Sequence, residues 1–319
     1  MTNIEDEALL YQVASMYYEQ NRTQEQIGEE LHFTRWKVGR LLAEARQAGI
    51  VRIEVVHPKA RVRALEERLR EVFGLRDAVV VTADRTDDEE GLRARVAEAG
   101  ADYLARLKPS VLGVSWGRTM DLLAASLHSG WAKDVHVVQI NGGLSRSRTP
   151  TSAQDMASRI AHSAQGTLSV LPVPSIVEQE ATRRLLEGDS AVADVLTQAA
   201  AADTVLFSPG GVGADSVLVS SGYLTADDLG KLAEAGAVGD VAGRFIDARG
   251  AIVDRSLDDR TLGLPLEHLR HSAVSVAVVS GSAKHAVCAA VVSSGLCNTL
   301  VTDHHTASHL LNPQPSDEL

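Results

Sequence analysis

The sequence predicts an α/β protein in two parts. A winged-type helix-turn-helix domain is expected over residues 1–57, and a larger doubly wound, Rossmann-like domain over residues 58–319. Three observations lead there. Three short amphipathic helical patterns separated by turn signals precede residue 50. Beyond Leu75, β-branched runs alternate with helical stretches, as in a parallel sheet covered by helices on both faces. Several of those runs end in glycine-containing loops that lead into helices, the arrangement found where open α/β sheets bind ligands. A length of 319 residues suits one small and one large domain.

In the first domain, Leu9, Leu10, Val13, Met16 and Tyr17 recur at helical spacing and predict one amphipathic helix. Asn21 and Arg22 break the pattern. Thr23 stands three residues before Gln26, a capping box that opens a second helix with Ile27 and Leu31 inward. After the turn at residues 31–34, Thr34 is suited to cap a third helix whose buried stripe is Val38, Leu41, Leu42 and Ala45. Gly49 stops that helix, and the alternation of residues 49–56 predicts a small wing. Ala60 to Phe73 reads as a linker helix, with Val62, Leu65, Leu69 and Val72 on one face and a solvated charge run elsewhere.

Charge tells the two parts from each other. The whole chain carries −11, which alone argues against a nucleic-acid partner. From His32 to Arg52, however, five basic residues (Arg35, Lys37, Arg40, Arg46 and Arg52) face the single acid Glu44. An acidic body with one basic helix is drawn to DNA by that helix alone. Major-groove docking of the third helix would present Arg35, Trp36, Lys37 and Arg40 to bases and phosphates, with Thr34 at its cap. Thr23 and Gln24 would lie over a backbone phosphate. Double-stranded DNA is the expected partner.

In the second domain, strands are expected at Ala78–Thr82, Val111–Ser115, Val135–Ile140, Leu168–Leu171, Thr204–Ser208 and Val274–Ser280. Three loops follow three of them: Ser115-Trp116-Gly117-Arg118-Thr119, Asn141-Gly142-Gly143, and Ser208 to Gly213. They are expected to converge on one pocket that suits an anion. Asp240 and Lys284, each close to a glycine, would suit hydroxyls and a phosphate respectively.

Several classes are excluded. Hydrophobic residues make up 45% and charged residues 23%, enough apolar material for a core and unlike a disordered chain. The longest apolar stretches fall far below the ~20 residues of a membrane span. The N-terminus lacks the basic and apolar regions of an export signal, so a cytoplasmic location is expected. Cys288 and Cys297 read as buried reduced thiols. His304, His305 and His309 lack the companion ligands of a metal site, and no phosphate-binding P-loop or nucleophile elbow is present, so neither metal nor cofactor is expected. The polar tail after Asn312 is expected to be disordered.

Several segments in one order resemble the SorC/DeoR-type sugar-binding transcriptional regulators. They are TQEQIGEELHFTRWKVGRLLAEARQAGIVRIEV, VLGVSWGRTM, VVQINGGL, LPVPSIV, GAVGDVAGRFIDARG and SAKHAVCAAVVSSGLCNTLVTDHHTASHLL. The resemblance implies a large domain of the sugar-phosphate isomerase and CoA transferase type that binds a phosphorylated sugar or polyol as effector. The implied pocket positions are Ser115, Gly117, Arg118, Thr119, Asn141, Gly142, Gly143, Asp240 and Lys284. A dimer or tetramer reading a palindromic operator is implied as well. His32, in place of the usual turn glycine, and Trp36 depart from the family pattern and bear on the operator sequence. Two other readings stand beside this one: a sugar-phosphate isomerase fused to a helix-turn-helix, although no acid and base pair declares itself, and a module acting through protein partners.

Overall fold

The computed structural model describes residues 4–51, 61–82, 88–144, 153–213 and 216–312. The chain divides into two compact units, Met1–Pro58 and Lys59–Leu319.

The first unit holds α1 (Ile4–Tyr18), α2 (Gln24–Glu30) and α3 (Arg35–Gln47). Its core is formed by Leu10, Val13, Met16, Ile27, Val38, Leu41, Leu42 and Ala45, which is the stripe the spacing predicts. Thr23 and Gln26 close the capping box, and Thr34 accepts the Lys37 amide at 3.3 Å to cap α3. His32 takes φ +56°, so a histidine enters the left-handed turn conformation in place of glycine. The turn is tight because Gly28 lets the chain pass close: a Cβ there would meet the Phe33 carbonyl oxygen at 2.6 Å. Gly49 (φ +74°) ends the helix region, while the wing residues 52–56 lie outside the described residues.

The second unit begins with α4 (Arg63–Phe73), β1 (Asp77–Val81), α5 (Glu89–Leu107), β2 (Val111–Val114), α6 (Arg118–Ser126), β3 (His136–Gln139), α7 (Ala153–Ser163) and β4 (Thr167–Ser169). It continues with α8 (Glu180–Glu187), α9 (Ser190–Ala200), β5 (Thr204–Phe207), α10 (Val217–Ser220), α11 (Ala226–Glu234), β6 (Gly239–Val241), β7 (Arg244–Ile246), α12 (Arg255–Asp258) and α13 (Leu266–His271). It ends with β8 (Val274–Val279), α14 (His285–Ser293), β9 (Thr299–Asp303) and α15 (His304–Leu311). Seven strands form one parallel sheet in the order β1-β9-β8-β5-β2-β3-β4, and β6 and β7 form a separate antiparallel hairpin.

Alternation along the strands sends side chains to both faces. Ala78, Val80, Val205, Phe207, Ala277 and Val279 join one core with α4, α14 and α15. Val79, Val81, Leu206, Val276 and Val278 join the other with α5, α6 and α7. The sheet is therefore doubly wound, as predicted. The chain runs outward from β2 through β3 to β4, then returns to β5 on the other side of β2 and proceeds to β8 and β9. The reversal puts a crevice between the carboxyl ends of β2 and β5.

The helix after residue 60 is part of the large unit rather than a linker: α4 packs on β1, Arg61, Arg63, Arg68 and Arg70 are exposed as expected, and Glu66 is buried, accepting the Val80 amide at 2.9 Å and a bidentate pair from Arg61 at 2.6 and 2.9 Å. Hydrogen bonding to Glu66 holds the Arg61 guanidinium above its ordinary pKa. One expectation is corrected: Val72, expected inward, is exposed, while Val62, Leu65, Leu69 and Phe73 pack into the core. The tail after residue 312 lies outside the described residues. Among those described, no helix is long and apolar enough to cross a membrane.

Candidate functional site

On the small unit, Gln24, Thr34, Arg35, Trp36, Lys37, Gly39 and Arg40 line one shallow concave face. All the residues expected to meet DNA except Thr23 are gathered there; Thr23 is occupied as the cap of α2. Trp36 is 90% exposed, at the second position of α3. The Lys37 ammonium lies 3.7 Å from the center of the Phe33 ring. Arg40 keeps only a loose pair with Glu44 at 3.5 Å, and an exposed i,i+4 pair of that kind is readily exchanged for phosphate. Gln24 approaches α3 where Gly39 leaves room, its Oε1 lying 3.4 Å from the place a Cβ would occupy.

On the large unit, the crevice at the switch point is lined by Ser115 to Thr119 after β2, Ser208 to Gly211 after β5, Asp240 and Ala242 of the hairpin, and Ser280, Gly281, Ala283 and Lys284 after β8. Gly117 caps α6 with φ +147°, a conformation only glycine adopts readily. The first-turn amides of α6 are thereby turned toward the crevice, where the helix dipole favors an anion.

Asp240 reaches the crevice floor through backbone pairing. Its N–H and carbonyl exchange 2.9 Å hydrogen bonds with those of Gly210, which joins the hairpin to the end of β5. The carboxylate is 6% exposed and accepts the Gly243 amide at 2.9 Å. Burial raises its pKa to about 6, opposed by the Gly243 hydrogen bond and the positive charge of Lys284. Lys284 donates to Ser208 Oγ at 3.3 Å. Carboxylate and ammonium therefore line the same crevice, close enough to interact electrostatically. The arrangement can accept from hydroxyls and hold an anion.

Of the predicted ligand positions, Ser115, Gly117, Arg118, Thr119, Asp240 and Lys284 are brought together. Asn141, Gly142 and Gly143 do not line the crevice; they stand behind Trp116, whose indole N–H donates to the Gly142 carbonyl at 2.8 Å. Both side-chain polar atoms of Asn141, and Ser175 Oγ, are buried with no hydrogen-bond partner among the described residues.

Sequence reasoning missed three contributors. Arg93 of α5 lines the crevice, but one arginine on a charged helix gives no signal. Ser280 ends a recognized strand, at the carboxyl edge where open α/β sheets bind ligands, whereas Ser208, also in the crevice, belongs to the third loop already expected there. Asp303, fully buried at the end of β9, accepts the Thr306 amide at 2.9 Å and the Gly281 amide at 3.2 Å, bracing the loop of Lys284. The C-terminal histidines lie in two ring pairs: His304 beside His305 with the rings tilted, and His309 stacked on His285. Among the described residues, no group of three or more His, Cys, Asp or Glu is placed to hold a metal.

The Sugar-bind family model, which describes a sugar-binding domain, matches residues 57–312. The deoxyribonucleoside regulator of Bacillus subtilis is 33% identical over 310 residues, covering 97% of this chain and 98% of that protein. The sorbitol operon regulator of Klebsiella pneumoniae is 29% identical, covering 98% of this chain and 100% of that protein. The crystal structure of full-length SorC from Klebsiella pneumoniae superposes with TM-score 0.73 at 26% identity, covering 97% of this chain and 100% of that one.

Proposed function

The chain is a member of the SorC family of transcriptional regulators, and from that premise we propose that α3 reads a palindromic operator and that the crevice holds a small phosphorylated sugar or polyol as effector. The observation that carries this reading is the buried Asp240 carboxylate facing the Lys284 ammonium at the switch point of the sheet. A carboxylate accepts from neighboring hydroxyls of a polyol, while an ammonium and the α6 amides suit a phosphate. Arg93 and Arg118 add positive charge at the same mouth. The named relatives regulate sorbitol, erythritol and deoxyribonucleoside systems, which supports a polyhydroxylated ligand as the class.

We read the crevice as a binding site and not a catalytic one. The named relatives are regulators, and the ionizable groups of the described lining (Glu89, Arg93, Arg118, Asp240 and Lys284) suit binding of hydroxyls and an anion. A dimer or tetramer would present paired α3 helices to the two half-sites. Acting on an operator, the protein works in the cytoplasm. Effector and operator are coupled reciprocally: a ligand that changes operator affinity must bind the free and DNA-bound forms unequally.

A thermal-shift screen of phosphorylated and free pentoses, hexoses and polyols tests the effector, and gel shifts with the promoter of its own operon test the operator. The expected result is a phosphorylated ligand that raises the melting midpoint and changes operator affinity. No stabilizing ligand in the screen would overturn the effector half; no binding that survives competitor DNA would overturn the operator half.

A further inference from the structure

Trp36 has no structural work in its own unit. The core of α1, α2 and α3 closes on Val38, Leu41, Leu42 and Ala45 without it, and the other two tryptophans, Trp116 and Trp131, are buried. At helical spacing the next residues beside it are Gly39 and Arg40, and both line the same concave face. Gly39 offers no side chain, and Lys37 is drawn aside over Phe33. The indole is the apolar projection of a face otherwise made of cations, an amide and a hydroxyl.

Resting on the reading that α3 enters the major groove, we infer that Trp36 reads bases, selecting thymine through its 5-methyl group. Every base edge in that groove offers hydrogen-bond donors or acceptors, and thymine alone adds an apolar group. Arg35 and Arg40 are served equally well by phosphates of any sequence, whereas a large ring gains only where water is removed from apolar surface. The exposed indole Nε1–H is free to donate to a base edge, and thymine O4, beside the methyl, is an acceptor. Trp36 therefore makes thymine the preferred base at the position it covers.

The full chain is used to select duplexes from a random pool in competitor DNA, with Trp36→Ala and Trp36→Phe in parallel. Each thymine of the selected duplex is then replaced singly by deoxyuridine, which removes only the methyl group. Wild type is expected to lose about fourfold in affinity at one or two positions, the factor for one buried methyl. Trp36→Phe keeps that penalty. Trp36→Ala loses it, with an unchanged melting midpoint because the side chain is exposed. Deoxyuridine that costs wild type nothing at every position, or a penalty that persists in Trp36→Ala, overturns the inference while operator binding stands. Failure of wild type to select any duplex overturns the DNA-binding reading itself, and the inference with it.

Discussion

Gly210 and Asp240 are paired through their backbones, each N–H donating to the other's carbonyl at 2.9 Å, and the Asp240 carboxylate lies where a side chain on Gly210 would begin. The absence of a Cβ at Gly210 is what lets this carboxylate occupy the crevice floor. Gly210→Ala should therefore displace the carboxylate while leaving the parallel sheet intact. The expected outcome is at least about a tenfold loss of effector affinity, or about 1.4 kcal/mol, with effector-free operator binding unchanged. Calorimetry with the stabilizing metabolite and a gel shift without it check the two halves.

Asp240 also sets a pH dependence. Burial raises its pKa from 3.8 to about 6 in the folded protein. Between those values the native state holds a proton that the unfolded chain has released. This group thus contributes most to stability at low pH, and its contribution falls as pH rises from about 4 to about 6, then levels off. Asp240→Asn removes the titration. Its unfolding free energy minus that of wild type should climb across that window by an amount on the order of 3 kcal/mol. Denaturant melts between pH 4 and 7.5 measure it, and a flat difference would contradict the burial of the charge.

Gly39 is predicted to separate stability from recognition. Glycine inside a helix costs about 1 kcal/mol relative to alanine, and Gln24 Oε1 at 3.4 Å leaves room for a methyl group. Gly39→Ala should raise the melting midpoint of the small unit and weaken operator binding severalfold, because the methyl stands between α3 and the groove. A stabilized variant with wild-type affinity would show that DNA does not approach this face.

The cysteines should be silent in the native protein. Burial raises Cys288 well above the usual thiol range and Cys297 to about 12. The thiolate is the reactive form. At pH 8 neither should react with a thiol reagent until the chain unfolds, so labeling rates report opening of the core around α14. Rapid labeling of either in the native protein would contradict this burial.

The helix-turn-helix was legible almost residue by residue, because its core is local: Val38, Leu41, Leu42 and Ala45 sit within two turns of one helix. The doubly wound sheet was legible from its buried strands, yet β9 escaped. Its residues Thr299, Thr302 and Asp303 are polar but fully buried, and only the neighboring strands explain why. The burial of Glu66 on α4 was not legible either, because its partners, Arg61 and the Val80 amide, meet it only through packing on β1. In the crevice, Asp240 and Lys284 were visible as charges beside glycines. That the Asn141 loop stands behind Trp116 was not, since it follows from contacts with Pro174, Leu262 and Gly263, distant in sequence, rather than from any local pattern.

The stretch 208–273 leaves the sheet after β5 and rejoins it at β8, the strand hydrogen-bonded next to β5. It carries its own small core, in which Leu218, Leu229, Leu232, Phe245 and Leu257 gather with Trp116. It also pairs with the segments at Asn141 and Ile176 and sends Val241, Ile246, Leu264, Leu266 and Leu269 into the core on one face of the sheet. Because it starts and finishes at adjacent strands, changes within it can reshape one wall of the crevice, the wall of Gly210 and Asp240, without altering which strands are neighbors.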